Sequence, residues 1–386
     1  MQFPSPSQLT LSSLCAWAVF TAACPVQAEP MGLEKLGEAL FHDENLSMNR
    51  TQSCASCHSP AQGFSDPRRS AEGAFSLGDD GDSLGNRNAP TASYAAFIPP
   101  FHQNSGAMWI GGLFWDGRAN SLEEQAGGPP LNPVEMGMPD KAALVQRLRD
   151  NPAYVERFAS LFAPDILQDG ERGFEAMTQA IAAFERSEEL APFSSKYDRY
   201  LAGKEELSKE EELGRTLFFS EQFTNCNLCH QLRSSPMGTQ ETFSDYSYHN
   251  IGVPRNPAIS LEAGMPADFI DEGLLANPQV SDPAQRGKFR TPTLRNVAVT
   301  GPYMHNGVFQ DLRTVVLFYN RYNSKTEAAQ INPETGKPWG AAPVPETLSV
   351  PELTHGPALD ARRVDALVAF LKTLTDARYE PLLGEE

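Results

Sequence analysis

Two five-residue strings, Cys54-Ala55-Ser56-Cys57-His58 and Cys226-Asn227-Leu228-Cys229-His230, constrain this chain more than any other feature. Each sets two thiols one helical turn apart with an imidazole directly after them, the pattern through which a c-type haem is attached by two thioethers and ligated by the histidine. A zinc site also uses paired cysteines, but it gathers four ligands at one place, and these pairs lie far apart in the sequence. The other two cysteines, Cys15 and Cys24, fall in the first 28 residues, which carry no charged side chain and run through an apolar stretch to Val26-Gln27-Ala28. That small-x-small ending predicts a cleaved signal peptide over residues 1–28, a periplasmic destination and no membrane span after cleavage. The n-region lacks its usual Lys or Arg. A retained N-terminal anchor is the alternative, and a lipoprotein site at Cys24 lacks the Leu-type residue it needs. Cleavage at Ala28 leaves four cysteines, all of them in the two motifs.

The 386 residues are 40% hydrophobic and 21% charged, enough apolar material for one large or two ordinary domains. A formal charge of −18 has the wrong sign for binding a phosphate backbone, so no nucleic acid is expected as a partner. The 31 prolines and 29 glycines are scattered, which predicts short helices and long ordered connections. A unit recurs along the chain. Leu36-Gly37-Glu38-Ala39-Leu40-Phe41 precedes the first motif and Leu213-Gly214-Arg215-Thr216-Leu217-Phe218 the second. Downstream, Asn88-Ala89-Pro90-Thr91 parallels Arg290-Thr291-Pro292-Thr293, and Trp115-Asp116-Gly117 followed by Leu122 parallels His305-Asn306-Gly307 followed by Leu312. The pattern predicts a mainly α, internally duplicated chain of two cytochrome c-like haem domains with long loops, 29–200 and 201–386. The boundary is expected between 193 and 209, where a charged stretch follows a predicted helix over 174–186.

Asp311 is positioned to cap a helix whose apolar face is Leu312, Val315, Val316 and Tyr319. Keeping the register set by Leu122 and Leu312, Val315 pairs with Gln125 and Tyr319 with Pro129. Proline offers no donor atom. If this position faces the sixth site of each iron, the second haem gains a phenolate-type ligand and becomes six-coordinate, while the first stays open to peroxide or oxygen. The alternatives are that Tyr319 is a core aromatic with a satisfied hydroxyl, or that Met304 or His305 is the sixth ligand.

Together with Phe114-Trp115-Asp116-Gly117-Arg118, Asn132-Pro133-Val134-Glu135-Met136, Tyr248-His249-Asn250-Ile251-Gly252, Gly301-Pro302-Tyr303-Met304-His305-Asn306-Gly307, Leu317-Phe318-Tyr319-Asn320 and Ile331-Asn332-Pro333-Glu334-Thr335-Gly336, these motifs resemble the bacterial dihaem cytochrome c peroxidase superfamily. The similarity runs over essentially the whole mature chain and is closer to the branch that matures methylamine dehydrogenase. The resemblance implies an oxidoreductase with two covalently bound haem c and one calcium ion. It implies that hydrogen peroxide, or oxygen plus electrons, reacts at the His58 haem, and that Tyr319 is the sixth ligand of the His230 haem, where the peroxidases have methionine. It further implies Trp115 as the relay between the haems, Gln125, Pro129 and Glu135 as residues of the open pocket, with Glu135 as its acid–base group, and calcium held by Asn88 with the carbonyls of Thr300 and Pro302. The implied activity completes tryptophan tryptophylquinone in precursor methylamine dehydrogenase by long-range electron transfer. A small electron-carrier protein is a further partner.

One position departs from that branch. Where a tryptophan two residues before the second motif passes oxidising equivalents to the protein substrate, this chain has Thr224, with Phe223 beside it. Threonine has no π-system to carry a hole, so either the exit route or the substrate differs. The acidic run Asp79-Asp80-Gly81-Asp82 fails the calcium-loop pattern at Leu84 and Thr91 and is expected to be a solvated loop. His42, His102, His249, His305 and His355 are expected to be structural. A cytochrome c peroxidase taking electrons from small cytochromes is the alternative function, and a plain electron-transfer cytochrome with two closed irons is the other.

Overall fold

The Leu-Gly-x-x-Leu-Phe strings fold as helices because their apolar residues recur on one face, and in each the glycine sets how closely a second helix crosses. The computed structural model describes Met1 and residues 32–68, 75–231, 239–258, 265–266 and 268–384. The predicted signal peptide lies outside the described residues. The helices that position the sites are α1 (Leu33–Phe41), α2 (Leu122–Ala126), α3 (Gly128–Leu131), α4 (Gly170–Glu185), α5 (Lys209–Phe218), α6 (Leu312–Asn320) and α7 (Ala361–Lys372). Helix α1 packs across α4, and a Cβ on Gly37 would run into the Ala180 carbonyl and the Phe184 side chain. Helix α5 packs across α7 in the same way, with Gly214 against the Ala366 carbonyl and Phe370. Each crossing anchors one apolar core. The first gathers Leu36, Leu40, Phe41, Ala180 and Phe184, and the second gathers Leu217, Phe218, Ala366, Leu367 and Phe370.

The helix expected over 174–186 begins earlier, at Gly170, because the Asp169 carboxylate accepts from the Arg172 amide and caps it. Asp311 caps α6 as expected, accepting from the Arg313 amide. Strand is confined, among the described residues, to antiparallel pairs of two residues, such as Tyr248–His249 against Phe289–Arg290. The chain is therefore mainly α. No described helix is long and apolar enough to cross a membrane.

Gly32–Glu386 forms one compact unit. Buried polar groups hold its middle together. Arg295 pairs with both carboxylate oxygens of Asp198 and donates to the Glu241 carbonyl (2.7 Å), with the Tyr94, Phe193 and Phe243 rings around its guanidinium. Asp376, fully buried, accepts from the Tyr94 hydroxyl (2.8 Å) and the Asn296 amide (2.9 Å). The acidic loop corrects the sequence expectation in part. Asp80 and Asp82 are exposed, but Asp79 is buried and accepts from the Asn49 and Thr51 amides and the Thr51 hydroxyl. Burial pushes its carboxyl up, and the hydrogen bonds outweigh that and hold it below the ordinary range.

Candidate functional site

Cys226–Cys229 is a single helical turn, so the two sulfurs point the same way, and His230 follows as its C-terminal residue. The His230 Nδ1–H donates to the Phe243 carbonyl (3.2 Å), which fixes the tautomer and leaves the Nε2 lone pair free. The three residues open on an apolar cavity of about 270 Å³ that Leu312, Val315, Val316, Leu367 and Leu371 also line. Tyr319 stands in the same cavity, one turn beyond Val315 on α6. Burial pushes its phenol up, and Cys229 and Cys226 add to that. Met304 and His305 line this space too, but the His305 imidazole is stacked on Phe289 with centroids 3.6 Å apart, and burial lowers it to about 4. It is a neutral ring held in a stack.

The first motif repeats this arrangement. Cys54–Cys57 is one turn, closed at its N-terminus by a Ser53–Ser56 capping box, and the His58 Nδ1–H donates to the Phe64 carbonyl (3.2 Å). Burial raises Cys54 to about 12 and Cys57 to about 11. A redox Cys-x-x-Cys pair works through a lowered thiol, the opposite of the direction these two take. Among the described residues no three His, Cys, Asp or Glu side chains gather as a metal cage. The donor chemistry and the apolar cavity fit a covalently attached haem.

Helix α2 packs on α4 and α6 packs on α7, but after α2 the helix breaks at Gly127 before Gly128-Pro129-Pro130. Gln125 lies on α2 and Pro129 on α3. The Pro129 carbonyl accepts from the Asn132 (3.2 Å) and Met136 (3.3 Å) amides, folding the loop that carries Glu135 back onto α3. Burial raises the Glu135 carboxyl above its ordinary range, with Arg118 and Asn132 opposing, and Glu135 is close enough to Cys57 to act on its thiol.

Trp115 is 8% exposed, and its indole N–H donates to the Asn88 carbonyl (2.8 Å). It lines both the large cavity and a smaller one of about 90 Å³. Asn88, Thr300 and Pro302 line that smaller cavity, and the Asn88 amide reaches the Pro302 carbonyl at 2.7 Å. Thr224 is buried and donates to the Leu217 carbonyl, whereas Phe223 is 41% exposed and lies under Arg363. Two features escaped the sequence reading. Arg87 bridges Asp116 and Asp271, each at 2.7 Å, behind Trp115. Glu185, on α4, is buried close enough to Cys54 to act on it. Only its interruption of an apolar helix face marked it in the sequence.

The profile of the family described as di-haem cytochrome c peroxidase matches residues 32–206. Over 98% of its own length and 98% of the relative's, the chain is 53% identical to the methylamine utilization protein MauG of Paracoccus denitrificans. Among solved structures it is similar to the diheme peroxidase BthA of Burkholderia thailandensis, with a TM-score of 0.76 and 34% identity over 90% of this chain and 86% of that one. It is also similar to a MauG-like protein associated with microbial copper homeostasis, with a TM-score of 0.66 and 31% identity over 96% and 99% of the two chains.

Proposed function

The chain belongs to the di-haem cytochrome c peroxidase family, and from that premise we propose that it is a dihaem c-type oxidoreductase acting as MauG does in methylamine utilization. It uses hydrogen peroxide, or oxygen plus electrons, to complete tryptophan tryptophylquinone in precursor methylamine dehydrogenase, its protein substrate. The observation that carries this reading is the 53% identity to MauG over 98% of both chains. It acts in the periplasm after loss of residues 1–28, and a small carrier protein supplies electrons when oxygen replaces peroxide.

The haems supply iron-centred oxidation chemistry when bound at Cys54, Cys57 and His58 and at Cys226, Cys229 and His230. The chain's own residues make the two sites unequal. Tyr319, which lines the cavity with His230, would offer its phenol oxygen to the iron held there, whereas Pro129 has no donor atom to offer the first. The Phe64 and Phe243 carbonyls orient the ligating imidazoles. At the open site Gln125 would hold peroxide or water, and Glu135, whose carboxyl burial raises above its ordinary range, would move a proton between the peroxide oxygens. Trp115, lining the second cavity, carries oxidising equivalents between the sites. A calcium ion would be held by Asn88 with the Thr300 and Pro302 carbonyls, which line one small cavity and are oxygen donors of the kind calcium takes.

The halves 29–200 and 201–386 are read as duplicated haem domains. The matched crossings at Gly37 and Gly214 support this, as do the left-handed backbones of Phe64 with Phe243, Tyr94 with Asn296 and Phe114 with Met304. Because Thr224 is buried and not aromatic, the exit route toward the substrate, or the substrate itself, differs from that of a chain with tryptophan there.

The test is electron paramagnetic resonance of the all-ferric protein before and after one equivalent of hydrogen peroxide, followed by addition of precursor methylamine dehydrogenase. One high-spin and one low-spin signal, both lost with peroxide, and then growth of quinone absorbance are expected. Signals that persist until one haem is reduced would replace this reading with that of a cytochrome c peroxidase.

A further inference from the structure

Glu185 sits in α4, the helix that crosses α1. It is 6% exposed, and its Oε2 is buried with no hydrogen-bond partner. A buried carboxyl oxygen left unpaired costs stability, so such a group points to a use. The matched helix crossings locate it. Gly37 meets Ala180 and Phe184 as Gly214 meets Ala366 and Phe370, which pairs Glu185 with Leu371. Leu371 lines the second cavity, beside Cys226 and Cys229. Glu185 therefore stands close to Cys54, at the position that corresponds to the cavity-lining Leu371 beside the second motif. The next residue, Arg186, reaches the surface and pairs with Glu123 of α2 at 2.7 Å.

The chemistry of long-range oxidation gives this carboxyl a task. Reduction of hydrogen peroxide to two waters takes up two electrons and two protons. The electrons arrive from a distant substrate, which releases its own protons where it is oxidised, so the protons used at the first haem must come from solvent nearby. Electrons entering an apolar cavity without protons would leave uncompensated buried charge. We propose that Glu185 is a proton relay into the cavity of the reactive haem, passing protons from solvent at the Arg186–Glu123 pair to the peroxide-derived oxygen, on a route separate from Glu135. Burial raises its carboxyl to about 8, with Arg186 opposing and Glu123 adding, so it holds a proton to give at neutral pH. The titratable ring that follows α1, His42, lies against the neighbouring Phe184 with centroids 6.4 Å apart. The proposal rests on the His58 haem being the reactive one.

The test uses the holoenzyme treated with one equivalent of hydrogen peroxide, then ascorbate, with the return of the resting haem spectrum followed in H2O and in D2O. Glu185→Gln and Glu185→Leu are expected to slow that return by about tenfold or more, the size of effect that losing one proton-transfer group has. The D2O effect is expected to change with them, and Glu185→Asp to recover most of the rate. The Leu variant carries the side chain found at position 371, so it tests the idea even if the Gln variant folds poorly. Wild-type rates and an unchanged D2O effect in both variants would overturn the relay alone. A wild-type protein that ignores peroxide would overturn the reactive-haem reading and the relay with it.

Discussion

Tyr319 is a phenol that its surroundings keep protonated, since burial and the neighbouring Cys229 and Cys226 all disfavour the anion. A ferric iron in contact inverts that preference, because a bound metal is then the largest local charge. The residue is thus suited to iron ligation and to little else in that cavity. Replacing Tyr319 with Phe is expected to abolish the low-spin ferric signal of the second haem and leave two high-spin signals. If the low-spin signal survives, Met304 or His305 has taken the sixth position. The contrast with Pro129 was legible because a ligand needs a donor atom and proline has none. Glu185 was not legible in the same way, because a helix period says which face a residue occupies and not what that face looks onto.

At the scale of elements, the two helix crossings set where everything else falls. Gly37 and Gly214 allow α1 and α5 to approach the carbonyls of Ala180 and Ala366, and backbone cannot move aside as a side chain can. Gly214→Ala is expected to lower stability by about 3 kcal/mol, at the upper end for overpacking, read as a fall in the urea midpoint. An unchanged midpoint would mean that the crossing is looser than the structure has it. Helices α2 and α3 show how a local break changes the course of the chain. Gly127 to Pro130 interrupt the helix that runs unbroken as α6, and the Glu135 loop folds onto the interruption. The repeated Leu-Gly strings and the Asp311 cap were readable from spacing alone. That Asp79 turns inward while Asp80 and Asp82 stay outside was not, since all three have the same composition and setting in the sequence.

For the whole molecule, a buried polar cluster ties together segments distant in the chain. Arg295 lies 1% exposed among three rings and pairs with Asp198. Removing one partner of such a pair leaves an uncompensated charge, so Arg295→Met is expected to cost about 3–5 kcal/mol. Helical circular dichroism and the absorbance of both haems are expected to be lost in one urea transition shifted to lower concentration. Separate transitions for the two haems would show that the halves unfold independently. The amino-acid sequence by itself determined the two attachment motifs and the helical class, because these depend on spacing along a chain and on periodicity. Only the tertiary structure decided that Tyr319 shares a cavity with His230, that Trp115 lines both that cavity and the smaller one beside Asn88, and that Glu185 stands beside Cys54. Those relations join residues distant in the chain, and they arise from how closely helices cross and which buried charges find partners. No local pattern encodes either.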